Sequence, residues 1–141
     1  MPTRKATAVW EGGLKGGKGS YRGQTDLGGK YSFGSRFEEA PGSNPEELLA
    51  AAHAACYSMA LSGGLERAGA APRRVETEAA CTVEKVGEGF KITRMRLVTR
   101  VSAENIDRAK FNEVAEGAKN GCPVSGALKG NVEIELDAQL V

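Results

Sequence analysis

A single domain that mixes strands and helices is what this sequence predicts, and three observations carry the prediction. Short β-branched and aromatic segments alternate with glycine-rich turns at the N-terminus. One long, nearly all-apolar segment follows. Beyond it, apolar and polar residues alternate on either side of "GEG", and helical spacing then sets in before a last alternating stretch. With 141 residues, 40% of them hydrophobic, the chain can bury a core without disulfide or metal staples. Its 19 basic and 18 acidic side chains are scattered rather than striped, which gives no footprint for nucleic acid or an anionic membrane surface. "MPTRKATAVWEGG" lacks the apolar run of a signal peptide. The apolar stretch Leu48 to Leu61 is short for a membrane span and carries His53 and Ser58, so a cytoplasmic protein with no membrane segment is expected.

The elements follow in order. "TRKATAVWEG", "GKGSYRGQTD" and "GKYSFGSRFEE" read as a meander of three strands, with "GGLKGG" and "LGG" as turns. "GGLKGGKG" lacks both the Walker spacing and the apolar helix that a phosphate loop needs. A helix is expected from Asn44 to about Ala68. Asn44 suits the N-cap, Pro45 the first position, and Glu46 and Glu47 the positive end of the dipole, with Glu47 able to close a capping box. "LLAAAHAACYSMAL" is apolar around most of that helix, which predicts cover on several sides. The residues around "GEG" predict a hairpin with Val75, Cys81 and Val83 on one face. "AENIDRAKFNEVAEGAKNG" predicts a helix with Ile106, Ala109, Phe111 and Val114 inward, ending at Asn120 and Gly121. "VEIELDAQLV" predicts a last strand with Val132, Ile134, Leu136, Ala138 and Leu140 on one face.

Three cysteines at irregular spacing, with no CxxC pair, argue against a disulfide scaffold or zinc module and direct attention to thiol reactivity. Cys81 falls on the apolar face of a strand and reads as a small core residue. Cys122, in "NGCPVSGAL", falls between two helices with Pro123 at a first helical position. It is a candidate N-cap, where backbone N–H groups would stabilise a thiolate, or a loop cysteine with no role. Cys56 lies mid-helix, where burial among alanine and leucine raises a thiol's pKa unless a cation is brought close. The residues alone leave it open between an inert buried cysteine and a nucleophile. Arg36, in the strand-like "SFGSRFEE", is the best placed cation, and Glu46 or Glu47 could hold it.

"GSNPEELLAAAHAACYSMALS" together with "GAKNGCPVS" resembles the signature of the OsmC/Ohr family of osmotically inducible and organic-hydroperoxide-resistance proteins. The resemblance extends to "WEGGLKGGKG", "SRFEE", the hairpin and the final strand, and "AVWEGG" and "AAHAACYSMAL" look closer to the OsmC branch. It covers essentially the whole chain, read as one OsmC/Ohr-like domain over residues 1–141. It implies an α+β fold, with two antiparallel sheets around central helices in an intertwined homodimer. It also implies a cysteine-based peroxidase that reduces organic hydroperoxides, and hydrogen peroxide more weakly, without a cofactor. Carried onto this chain, Cys56 is the peroxidatic thiol, Cys122 the resolving thiol, and Arg36 and Glu46 the polar partners of the site. A dithiol, such as one of lipoyl type, is implied as reductant. The physical demand is modest. Lowering a thiol pKa by ~2 units raises the thiolate fraction at neutral pH roughly thirtyfold, for about 2.7 kcal/mol. Two rival readings remain beside this one: a metal site made by His53, Cys56 and Cys122, and a redox sensor or ligand carrier whose two thiols cycle without turnover.

Overall fold

The computed structural model describes residues 1–141. The chain divides into two compact units, Met1–Leu48 and Leu49–Val141. The three meander strands form one sheet and the three later strands another.

In the N-terminal unit, β1 (Ala6–Glu11), β2 (Lys18–Gly23) and β3 (Gly28–Tyr31) form an antiparallel sheet in sequence order. The turn after β1 is closed by Gly17 N–H donating to the Gly13 carbonyl at 2.8 Å. A Cβ on Gly17 would lie 2.3 Å from that oxygen, so the glycine serves the turn and not a phosphate. Trp10 and Tyr21 both pack against the Tyr31 ring, at centroid distances of 5.4 and 6.1 Å.

The third predicted strand is shorter than expected. Chain from Phe33 to Phe37, read as strand-like, is a short helix, α1. The cause is a capping box: the Ser32 hydroxyl accepts from Ser35 N–H at 3.0 Å, while the Ser32 N–H donates to the Ser35 hydroxyl at 2.8 Å. These reciprocal bonds satisfy two donors that a continued strand would have left to a neighbour. The second helix, α2 (Pro45–Arg67), begins as the sequence predicts, with Asn44 Oδ1 accepting from Glu47 N–H at 2.8 Å. Glu47 does not close the box, because its carboxylate accepts from the Ser43 hydroxyl at 2.5 Å.

The C-terminal unit holds most of α2, the strands β4 (Ala71–Val86), β5 (Gly89–Glu104) and β6 (Glu133–Leu140), and the helices α3 (Arg108–Gly121) and α4 (Pro123–Leu128). β4 and β5 form the expected hairpin, turning at Gly87, whose φ of +62° lies in the left-handed region. β6 pairs with β5 in parallel, so this sheet is mixed and not wholly antiparallel. A parallel neighbour needs a crossover, and α3 and α4 supply it.

One face of β5 (Met95, Leu97, Thr99, Val101) is buried, as the period of two dictates. Tyr57, Leu61 and Leu65 of α2 and Phe111, Ala115 and Ala118 of α3 meet in the same core, each buried leucine or phenylalanine contributing about 1.5–3 kcal/mol. On α3 the inward stripe is set by Phe111, Ala115 and Ala118. Ala109, expected inside, is exposed. Cover on several sides of α2 is not observed within the chain: Ala51, Ala52, Ala55 and Met59 are exposed, Met59 at 80%. With 23 residues, α2 as a whole is long and apolar enough to cross a membrane by length and composition, unlike the shorter stretch considered from sequence. Its other face, however, is seated in the core.

Candidate active site

The crossover brings together two cysteines that are far apart in the chain. Cys56 sits mid-way along α2 and is half-buried. Cys122 ends α3, is the N-cap of α4, and is buried. Its N–H donates to the Ala118 carbonyl at 2.9 Å, and its carbonyl accepts from Gly126 N–H at 3.0 Å, so the backbone of Cys122 is fixed from both sides. The two sulfur atoms lie 2.9 Å apart as free thiols. A disulfide needs them only about 0.9 Å closer. Cys81 is half-buried on β4 and packs against the core, as expected.

The two thiols differ in surroundings. Burial pushes Cys56 up, and the Cys122 thiol adds to that, while only the Val124 N–H opposes it. Burial also works against ionising Cys122. There it is outweighed by the adjoining Cys56 thiol, by the backbone and hydroxyl of Ser125 and by the Val124 backbone, and the Cys122 thiol is pulled below its ordinary value. No cation within the C-terminal unit acts on Cys56, so its immediate surroundings do not depress its pKa.

The other two sequence candidates meet in the N-terminal unit. Arg36, on α1, donates through Nε to Glu46 Oε1 and Oε2 at 3.0 and 3.3 Å, and its Nη2 lies 2.8 Å from Oε1. The carboxylate is buried, and the guanidinium lies 4.9 Å over the Phe37 ring. The connection between α1 and α2 holds this pair in place: Ser35 Oγ donates to the Ser43 carbonyl at 2.6 Å, and Asn44 Nδ2 donates to the Ser35 carbonyl at 3.0 Å. Of the two glutamates considered, Glu46 is the arginine's partner.

His53 is fully buried, and its Nε2 lies 2.7 Å from Ser125 Oγ. The imidazole is thus paired with a hydroxyl, and no group of three or more His, Cys, Asp or Glu side chains is placed to hold a metal ion. Ser125 was not singled out from sequence. The available signal was its position three residues after Cys122, on the same face of a helix that opens at Pro123.

The family model described as OsmC-like protein matches residues 38–137. Peroxiredoxin OsmC of Escherichia coli (strain K12) is 45% identical over 139 residues, spanning 97% of this chain and 96% of that protein. Organic hydroperoxide resistance protein OhrB of Bacillus subtilis (strain 168) is 35% identical over 101 residues, spanning 71% and 72%. Among solved structures, an OsmC-like protein from Mycoplasma pneumoniae superposes with a TM-score of 0.78 at 14% identity, over 99% of this chain and 98% of that one. OhrB of Bacillus subtilis superposes with a TM-score of 0.71 at 26% identity, over 96% and 98%. The α+β fold is therefore that of the OsmC and Ohr proteins, and this chain belongs to the OsmC-like protein family.

Proposed function

We propose that the chain is a thiol-dependent peroxidase that reduces organic hydroperoxides to alcohols, and hydrogen peroxide more weakly, with Cys56 as the peroxidatic and Cys122 as the resolving thiol. The observation that carries this reading is the 2.9 Å approach of the two sulfurs, from positions 66 residues apart. The names of the relatives, a peroxiredoxin and an organic hydroperoxide resistance protein, support it.

The chemistry balances with these groups. The Cys56 thiolate attacks the distal peroxide oxygen and the O–O bond breaks. The alkoxide takes up a proton and leaves as alcohol, and Cys56 becomes a sulfenic acid. The Cys122 thiolate then attacks the Cys56 sulfur, the S–O bond breaks, and hydroxide leaves as water after taking a proton. A dithiol reduces the resulting disulfide by exchange and is itself oxidised to its disulfide, which restores both thiols.

Burial raises Cys56, so the first step needs a cation. Arg36, oriented by Glu46, is the group we assign to it. Its guanidinium would draw the pair's negative charge onto Cys56 and donate to the departing peroxide oxygen. The apolar neighbours of Cys56 favour an alkyl or aryl peroxide. The exposed Ala51, Ala52, Ala55 and Met59 face of α2 is the surface a second copy would cover, and a homodimer is part of the proposal, as is a cytoplasmic location suited to free thiols. The test is steady-state consumption of cumene hydroperoxide and hydrogen peroxide, side by side, with lipoyl-type and other dithiols. Turnover that prefers the organic peroxide and vanishes in Cys56→Ser is expected. Stoichiometric oxidation of the thiols without turnover would make the protein a sensor instead.

A further inference from the structure

The two-thiol chemistry leaves one buried polar pair unused. α2 on one side, and α4 with its N-cap Cys122 on the other, each offer a sulfur and, three positions away, a polar side chain. Cys56 meets Cys122 at 2.9 Å, and His53 meets Ser125 at 2.7 Å. His53 and Ser125 are 0% and 4% exposed, and the other imidazole nitrogen of His53, Nδ1, is buried with no partner. A buried polar atom left unpaired destabilises a fold, and a matched apolar pair of similar volume would fill the same space without that cost. Stability alone therefore gives no account of these two residues.

The arrangement of protons does. Ser125 Oγ lies 2.7 Å from His53 Nε2 and stands three residues after the N-cap Cys122, where its hydroxyl helps to lower the Cys122 thiol, but it has one proton to give. If that proton went to His53, the imidazole would carry its own hydrogen on Nδ1, leaving a buried N–H donor with no acceptor. If it goes to Cys122, Nε2–H donates to Ser125 Oγ and the orphan is a bare lone pair on Nδ1. Orphaned acceptors occur in folded proteins more readily than orphaned donors, so the second arrangement is favoured. Burial also lowers the proton affinity of His53, which keeps the imidazole neutral and limits it to this one donor.

We propose that His53 and Ser125 are positioning residues for the resolving step: His53 Nε2–H holds the Ser125 oxygen so that its hydroxyl proton points at Cys122, keeping that sulfur as a thiolate aimed at Cys56. The role assigned to Cys122 rests on the peroxidase reading. The pair neither gains nor loses a proton in the step. Cys122 forms the new S–S bond, the S–O bond of the Cys56 sulfenic acid breaks, and the departing hydroxide is protonated from solvent.

The first arm of the test does not depend on peroxide chemistry. In a Cys56→Ser, Cys81→Ser background, Cys122 is the sole thiol, and its thiolate absorbance is titrated against pH. Ser125→Ala and His53→Phe should each move the midpoint upward by about one pH unit, the effect of losing one hydrogen bond to a charged group. His53→Gln, which keeps a side-chain N–H donor, should recover much of the shift. In the second arm, the wild-type cysteines are given one equivalent of cumene hydroperoxide, and a fast mass-spectrometric time course should show the sulfenic acid persisting about tenfold longer in Ser125→Ala. A Cys122 midpoint unmoved by either Ser125→Ala or His53→Phe, in protein with native circular dichroism, overturns the proposal, and two positions are probed so that a folding failure at one leaves the other. A shifted midpoint in a protein that consumes no hydroperoxide would instead overturn the peroxidase reading and leave the His53–Ser125 pairing to the Cys122 thiolate standing.

Discussion

The two members of the Arg36–Glu46 pair should not be equally costly to lose, because their side chains are 36% and 7% exposed. Arg36→Ala strands a carboxylate where water scarcely reaches. An uncompensated buried charge costs about 3–5 kcal/mol, and the opening left by the shortened side chain admits water and reduces this to about 2–3 kcal/mol. The lost contact with the Phe37 ring adds about 0.5 kcal/mol at this exposure. Glu46→Gln, by contrast, leaves a guanidinium that water can reach and that still finds the amide oxygen. The cost is the difference between a charge-assisted and a neutral hydrogen bond, about 1 kcal/mol. At about 3 °C per kcal/mol for a chain of this size, Arg36→Ala should lower Tm by about 8–10 °C and Glu46→Gln by about 3 °C. The double variant should be more stable than Arg36→Ala alone by about 1–2 kcal/mol, because it no longer buries a lone charge. Thermal and urea unfolding followed by circular dichroism at pH 7.5 measure all three. A Glu46→Gln loss equal to or larger than that of Arg36→Ala, or strictly additive losses in the double variant, would show that Arg36 is not what compensates a buried Glu46 charge.

The other predictions concern the thiols and the histidine. Cys122→Ser should still be oxidised at Cys56 by the first equivalent of peroxide, then over-oxidise to sulfinic acid under excess, as intact mass would show. In a background lacking Cys81 and Cys122, Arg36→Ala should raise the Cys56 thiolate midpoint. An unchanged titration would remove the arginine from the mechanism. His53 is the single histidine, and burial lowers its pKa from the ordinary 6.5. Below that value the unfolded chain takes up a proton that the native protein refuses, so stability falls as pH drops below 6.5. The slope reaches at most about 1.4 kcal/mol per unit and flattens once the native imidazole protonates. His53→Gln should remove this component of the slope in urea titrations between pH 7.5 and 5.5.

Much of this was legible in the residues, and the gaps have physical causes. Asn44 and Pro45 announced the start of α2 because a cap is a local event, and the alternation around "GEG" announced the hairpin because burial of one face has a period of two. Helix α1 was hidden. Its capping box uses serine at both ends, and Phe33 and Phe37 read equally well as strand residues. The parallel pairing of β6 left no mark in its own alternation, because a strand buried on one face looks the same in either direction. At the site, Cys122 could be placed at a helix N-cap from Pro123 alone. Its approach to Cys56 and the pairing of His53 with Ser125 depend on how α2 packs against α4, which no local pattern encodes.

We assign Cys56 and Cys122 to one redox pair in which Cys56 reacts first. To test this, reduced protein is mixed with a single equivalent of cumene hydroperoxide, quenched by acid, alkylated, digested and analysed by mass spectrometry. Loss of two hydrogens per chain, a Cys56–Cys122 disulfide as the dominant product, and alkylated Cys81 are expected. In Cys122→Ser, a single added oxygen should appear on Cys56. Oxygen added first to Cys122 with Cys56 intact, or a disulfide that includes Cys81, would contradict this assignment.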